Sequence, residues 1–504
     1  RLTLPDGLAL DPAFCISDDV ESALLKIEVL ENLFEEKYKI GEPTFLALVE
    51  GLGGERDDRN LRELILKINS FLTSLPEPKL WLRQAVAVFQ AAITDPELKG
   101  LRDQFMDKII LDLEEAIILE ERALALALLP DGPQEYALTI EEELNTLKKI
   151  KQAGDDFLKY LAAFKFPRLK ACRSEADEFL KEEVKALRDQ AKGLIQNIQG
   201  EYLRAPLSEL IEEQNEMYPL MKCLAELTIE FEKRYFRKKI ALNVLDFADL
   251  EFLALNLLGK KTPKGWEPTP LAVDLQKRFE EVLIDEYQDI NGLQETILTL
   301  LAREKSNLFM VGDVKQSIYG FRSAEPSLFL NKYNTYSEQV GKKERKINLS
   351  KNFRSRINIV KGVNFIFRQL MSKHLSGQTY DQKNELVFGA HWMTEDEKSA
   401  LPLEFHLLET RQIDASGDEA DEEITALQAE ARLIGRRLLE LQDEALIWDQ
   451  SKQEYRQPEF RDIVILLRMM HNTAPVFLEE FQKLGIPVYA EIGSGYFAAR
   501  EVQI

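Results

Sequence analysis

Two adjacent carboxylates, Asp285 and Glu286, follow directly on the apolar run Val282-Leu283-Ile284 in the octapeptide VLIDEYQD. Such a run reads as a buried parallel strand, and the acids emerge at its carboxyl end, where α/β sheets bind ligands. Paired acids at that point suit a magnesium-dependent nucleotide hydrolase. One carboxylate holds the hard cation, which keeps the rest of its shell for phosphate oxygens and water. Its neighbour can then activate the attacking water without saturating the metal. On its own the octapeptide also fits a strand that simply ends in a solvated acidic turn.

The surrounding elements narrow the choice. Leu308 to Val311 form a second apolar strand that runs into Gly312-Asp313-Val314-Lys315-Gln316-Ser317-Ile318-Tyr319-Gly320-Phe321-Arg322, and the amphipathic stretch Leu293 to Ala302 lies between the two strands. Strand, helix, strand in that order is a right-handed parallel crossover. A third segment, Lys346 to Leu349, leads into Ser350-Lys351-Asn352-Phe353-Arg354-Ser355 and a further helix. Three polar motifs therefore end three expected strands. Tyr319 and Phe321 sit on a glycine-containing loop, where a flat aromatic can stack on any base. Arg322 beside them can bind phosphate or pair with an acidic neighbour.

These residues resemble the motor core of the UvrD-like helicases of superfamily one. DEYQD resembles their magnesium and water-activating motif, VGDVKQSIYGFR their nucleotide-to-DNA coupling motif, and LSKNFRSR the start of their second motor domain. LDFADLE (245–251) resembles the element that precedes the Asp-Glu strand. LDPAFCISDD (10–19), SLPEPKLWL (74–82) and FPRLKACR (166–173) resemble the helical insertion of the AddA branch, and DIVILLR (462–468) with GIPVYAEIGSGYF (485–497) continues the likeness over nearly the whole chain.

The resemblance implies an α/β fold: incomplete RecA-like P-loop motor domains with a large all-helical inserted domain. It implies a helical insertion over 1–232, the C-terminal part of a first motor domain over 233–344, and the N-terminal part of a second over 345–504. The implied cofactors are ATP and Mg2+. Asp285 would bind the metal and Glu286 position the water; Gln316 would sense the terminal phosphate, Arg354 act as an arginine finger when the cleft closes, and Phe353 stack on adenine. Tyr319, Phe321 and Arg322 would contact single-stranded DNA. The implied function is that of an AddA-like component of a helicase/nuclease which, with an AddB-like partner, unwinds and processes double-strand break ends for recombinational repair, with an exonuclease domain outside this chain. A UvrD or RecB type helicase without AddA partners, and a non-enzymatic protein that grips DNA or a partner, are the competing readings.

Departures from the family pattern shape a further expectation. The sequence holds no GxxxxGK[ST] phosphate loop: Gly259-Lys260-Lys261-Thr262 has Ala254 where the first glycine should stand and follows a helix. Phe353 stands where the family commonly has tyrosine, and Phe321 where it usually has tryptophan nearby. The chain is accordingly expected to be an internal fragment that does not hydrolyse ATP by itself.

Composition agrees with a multidomain globular protein. A chain of 504 residues, 45% hydrophobic, fits two to four domains. Cys15, Cys172 and Cys223 are far apart, the four histidines show no metal spacing, and no apolar stretch is long enough to span a membrane, which points to a reducing, cytoplasmic setting. The 65 basic and 87 acidic residues give a net charge of -22, which repels phosphate unless DNA is gripped locally. Two basic stretches can do that: Lys165, Arg168, Lys170 and Arg173 around Pro167, and Arg234, Arg237, Lys238 and Lys239 beside Tyr235 and Phe236. Either can equally be a plain solvated charge cluster. Periodicity predicts helices from about Asp18 to Glu232, a loop over Lys260 to Pro270, and irregular chain over 372–400. Beyond that it predicts strands at Leu403–Leu408, Asp462–Leu467 and Val488–Glu491, with helices at Glu422–Leu441 and Val476–Leu484.

Overall fold

The computed structural model describes residues 2–3, 9–54, 57–90, 99–172, 176–204, 207–303, 307–372, 379–390, 401–408, 425–449, 451–470 and 473–490. The chain divides into two units, Arg1–Asn331 and Lys332–Ile504. Most described residues are helical, and the strands form small two-stranded sheets.

In the first unit the predicted run of helices is present: α1 (Asp19–Ile40), α2 (Pro43–Leu52), α3 (Arg59–Leu72), α4 (Pro78–Ala87), α5 (Lys99–Ala127), α6 (Gln134–Lys151), α7 (Phe157–Ala163), α8 (Glu178–Glu201) and α9 (Leu207–Leu242). Local chemistry sets several ends. The Asp18 carboxylate accepts from the Glu21 N–H to start α1, and Gly41 closes it at φ 67°, a left-handed conformation that favours glycine. Proline stands in the first turn of α2 and of α4, where its missing N–H costs nothing.

Two apolar cores organise these helices. Leu33, Phe34, Phe45, Leu61, Ile65 and Phe231 join α1, α2, α3 and α9, while Leu113, Ile140, Leu161, Val184, Ala191 and Ile195 join α5 to α8. The second core also encloses charge. Arg188 of α8 donates to both Glu143 carboxylate oxygens of α6, at 3.0 and 2.5 Å, and to the Pro167 carbonyl at 2.6 Å. Glu120 of α5 is fully buried, and neither carboxyl oxygen has a hydrogen-bond partner. Burial, reinforced by Glu143, pushes its carboxyl up to about 8.

The strands of the first unit follow the helices. β1 (Leu2–Thr3) pairs antiparallel with β2 (Ala9–Leu10), and β3 (Cys15–Ile16) pairs in parallel with β4 (Val244–Leu245) across more than two hundred intervening residues. Asp246 then starts α10 (Phe247–Leu258) in a reciprocal capping box with Asp249. The loop expected over 260–270 is instead a hairpin: β5 (Gly259–Thr262) pairs with β6 (Gly265–Pro268), and Gly265 at φ 121° supplies its turn. α11 (Pro270–Arg278) leads to β7 (Val282–Ile284), α12 (Gly292–Leu301) and β8 (Leu308–Met310), the predicted crossover, with Leu283 opposite Phe309 in a parallel ladder. The SLPEP segment docks on it, since the Leu293 N–H donates to the Ser74 carbonyl at 2.9 Å and Lys261 pairs with Glu77.

The expectation of a buried strand fails for β7. Leu283 is 71% exposed and Phe309 54%, because a two-stranded sheet leaves the face they share uncovered. α13 (Pro326–Thr335) crosses the unit boundary.

In the second unit, β9 (Lys351–Asn352) pairs in parallel with β10 (Val387–Phe388), which lies in a stretch expected to be irregular. α14 (Ile357–Leu370), α15 (Ala426–Glu444) and α16 (Ala474–Lys483) match predicted helices, and β11 (Ile447–Asp449) forms a hairpin with β12 (Glu454–Arg456). Ala431, Leu438, Phe477 and Phe481 pack α15 against α16. The strands predicted at Lys346–Leu349, Leu403–Leu408, Asp462–Leu467 and 488–490 belong to no sheet among the described residues. Alternating apolar residues make a strand only beside a ladder partner, and without one Phe405, Leu407, Val464, Leu466 and Tyr489 are left largely exposed. Glu491 and the rest of 491–497 lie outside the described residues.

Candidate nucleotide and DNA site

The carboxyl ends of β7 and β8 carry the first two motifs side by side. The Val311 N–H donates to the Ile284 carbonyl at 2.8 Å and the Tyr287 N–H to the Val311 carbonyl at 2.9 Å, so the ladder continues past the strands into both loops. Asp285 and Glu286 are exposed at this edge, while Tyr287 and Gln288 are buried. The apolar ladder thus buries the middle of the motif and presents its acids.

Glu286 is in the left-handed region at φ 48°, which a non-glycine residue rarely adopts. The turn is over-determined by its neighbours. The Asp285 carboxylate accepts from the Glu286 N–H at 3.0 Å, and the Tyr287 hydroxyl donates to Glu295 at 2.6 Å.

Gln288 links the two motifs. Its amide donates to Glu286 Oε2 at 2.7 Å, and its carbonyl oxygen accepts from the Asp313 N–H at 2.9 Å. Asp313 in turn accepts from the Gln316 amide at 2.9 Å and pairs with Lys315 Nζ at 2.7 Å. A continuous polar path runs from Glu286 through Gln288 and Asp313 to Gln316, whose side chain is exposed. Gly312 is required where the path crosses, because a Cβ there would stand 2.5 Å from Gln288 Oε1 and 3.1 Å from the Tyr287 nitrogen.

The donor set suits magnesium. Among the described residues Asp285 accepts only from the Glu286 N–H, which leaves its second oxygen open, and Asp289 Oδ1 is buried with no hydrogen-bond partner. No group of three or more His, Cys, Asp or Glu side chains forms a protein-only metal cage among the described residues. One or two carboxylates with the remaining positions left for phosphate and water is the usual magnesium arrangement.

The aromatic loop follows. Phe321 is 80% exposed, its ring centroid lies 5.8 Å from that of Tyr319, and the Arg322 guanidinium lies 5.2 Å from the Tyr319 ring centre and 5.7 Å from the Phe321 ring centre. Arg322 has no acidic partner among the described residues. In the second unit, the Asn352 side chain accepts from the Arg354 and Ser355 N–H groups at 3.0 and 2.8 Å and shapes the turn after β9. The Arg354 guanidinium is exposed and has no ion pair among the described residues. Phe353 is 57% exposed and lies over Gly389, where a Cβ would meet its ring at 2.9 Å.

The two basic stretches differ. Lys165, Arg168 and Lys170 are exposed with no acidic partner among the described residues, and Arg173 lies outside them. Arg234 pairs with Glu36 and Glu230, Lys238 with Glu28, and Lys239 is buried between Asp246 and Asp249 at 2.7 and 2.6 Å. Burial opposes ionisation of Asp246, yet the Lys239 ammonium outweighs it and holds that carboxyl below its usual range. The phosphate-tracking role considered for the second stretch is therefore not available to Lys239, whose charge is consumed at the start of α10. Sequence reasoning missed this network; the signal was the Asp-x-x-Asp capping pattern shortly after a lysine at the end of a helix.

Residues 121–337 match the UvrD/REP helicase N-terminal domain. The chain is 40% identical to the A subunit of the ATP-dependent helicase/nuclease of Desulforamulus reducens over 98% of its own length and 42% of the relative's. The corresponding proteins of Alkaliphilus metalliredigens and Bacillus pumilus are 40% and 39% identical over 98% of this chain and 40% and 41% of their own lengths. The chain thus spans about two fifths of the curated relatives it matches. Residues 121–337 are similar to a UvrD-like helicase domain, and nearly the whole chain is similar to the A subunits of ATP-dependent helicase/nucleases, the AddA branch.

Proposed function

We propose that this chain forms part of an ATP-dependent DNA helicase/nuclease of the AddA type that, with an AddB-like partner, unwinds and processes DNA double-strand break ends in the cytoplasm. The observation that carries the reading is the polar path from Glu286 through Gln288 and Asp313 to Gln316, which binds the two strand ends of one crossover into a single unit. Asp285 would hold magnesium, which would supply positive charge to the phosphate oxygens of ATP, and Glu286 orients and deprotonates the attacking water. Gln316 reads the terminal phosphate, and any change there reaches Glu286 through Gln288. Arg354 supplies a guanidinium to the transferring phosphoryl group and Phe353 a face for adenine. Tyr319, Phe321 and Arg322 take single-stranded DNA, with Arg168 and Lys170 on its phosphates. We retain the division into a helical insertion over 1–232 and two incomplete RecA-like motor parts over 233–344 and 345–504. Without a phosphate loop in its sequence, the chain alone is expected not to turn over ATP.

The test is Glu286→Gln in a full-length helicase/nuclease protein carrying this chain. DNA-stimulated ATP turnover should fall by about 10²-fold or more with nucleotide binding retained. Unchanged turnover removes Glu286 from the chemistry.

A further inference from the structure

We infer that the helical region holds a second nucleic-acid subsite, a pocket that receives one base of single-stranded DNA beside the unpaired basic stretch. The inference rests on the DNA-processing reading above and adds a site to it. A cavity of about 640 Å3 opens where the end of α6, α7 and the segment 164–167 meet, a volume within the range of small-ligand pockets. Its lining includes the aromatic residues Tyr160 and Phe164, the basic residues Lys149 and Lys165, and the acidic residues Glu142 and Glu143, the last of them bound to Arg188.

The walls are held in place. The Gln199 side chain donates to the Leu161 and Phe164 carbonyls at 2.9 and 2.8 Å, and the buried Arg188 donates to the Pro167 carbonyl at 2.6 Å while fixed to Glu143. Arg188 also lies 5.4 Å from the Phe166 ring centre, and the Phe166 and Phe164 rings meet edge to face at 5.0 Å. The segment that lines the pocket therefore presents its side chains from a pinned backbone, and little ordering cost falls on binding.

The charges around it are selective. Of three lysines in the last turn of α6, Lys148 pairs with Glu121 and Lys151 with Glu114, whereas Lys149, which lines the pocket, has no acidic partner among the described residues. Lys165, Arg168 and Lys170 likewise have no acidic partner among the described residues and extend the basic charge along the chain. In a protein of net charge -22 such cations mark where a phosphate backbone can approach. An aromatic-lined recess beside cations is the chemistry of base stacking with backbone neutralisation. The Glu142 carboxylate accepts from an exocyclic base amine, so an amine-bearing base such as cytosine is favoured over thymine.

The test measures equilibrium binding of this chain to a dC decamer and to an abasic deoxyribose-phosphate decamer at low salt. Ala163 is exposed at the end of α7 and lines the pocket, so Ala163→Trp fills it without touching a charge. This variant should bind the dC decamer about fivefold or more weakly and the abasic decamer unchanged, with an unaltered thermal melt. Lys165→Glu should weaken both. Wild-type affinity of Ala163→Trp for the dC decamer overturns the pocket while leaving the DNA reading intact. Failure of the wild-type chain to bind either decamer overturns both.

Discussion

Two basic stretches of similar composition have opposite fates in this molecule. Around Pro167, Lys165, Arg168 and Lys170 stay exposed with no acidic partner among the described residues, whereas near the end of α9 most cations are neutralised by glutamates or by the capping acids of α10. A run of positive charge therefore says little until its acidic neighbours in space are known. In so acidic a protein a basic residue without a partner is the informative one.

The comparison can be broken most sharply at Lys239. Replacing it with alanine leaves the half-buried Asp246 and the buried Asp249 without their cation and should cost about 3–5 kcal/mol of stability, read as a lowered denaturant midpoint of the first unit. A loss below about 1 kcal/mol would place Lys239 with the solvated cations.

Glu120 supplies the next largest effect, since it is a buried charge-forming group with no cation bonded to it. Its folded-state carboxyl is raised to about 8, so the folded state binds the extra proton and stability falls as pH rises from the ordinary carboxylate range through about 8. Glu120→Gln should flatten that slope and add on the order of 1–3 kcal/mol at pH 8, measured by urea unfolding at several pH values.

The exposed stretch is tested by Arg168→Glu with Lys170→Glu. Single-strand affinity should fall roughly tenfold, and the salt dependence should lose about 0.7 in slope for each phosphate contact removed, at unchanged stability. Lys238→Ala, which removes an exposed ion pair, should shift neither affinity nor stability by more than about 1 kcal/mol. A larger DNA effect there would reverse the contrast between the two stretches.

What could be read from the chain follows the range of the interactions involved. The crossover β7–α12–β8 is encoded locally, by two apolar runs around an amphipathic stretch, and the structure has it within a residue of each predicted end. The capping acids of α10 are local too. The burial of Lys239 depends on how α9 meets α10, and the link from Gln288 to Asp313 joins residues 25 apart. Neither has a periodic signature. The overpredicted strands at 403–408 and 462–467 show the converse: alternation in sequence is a local property, but a strand is a relation between two segments.

Glu286 holds a backbone conformation for which glycine is better suited, at the position assigned to the water-activating carboxylate. Replacing it with glycine should relax the turn and raise stability by up to about 1 kcal/mol while ending the proposed chemistry. A directed-evolution campaign that selected this protein only for heat resistance would therefore be drawn toward silencing it. Any such screen needs turnover as a second gate.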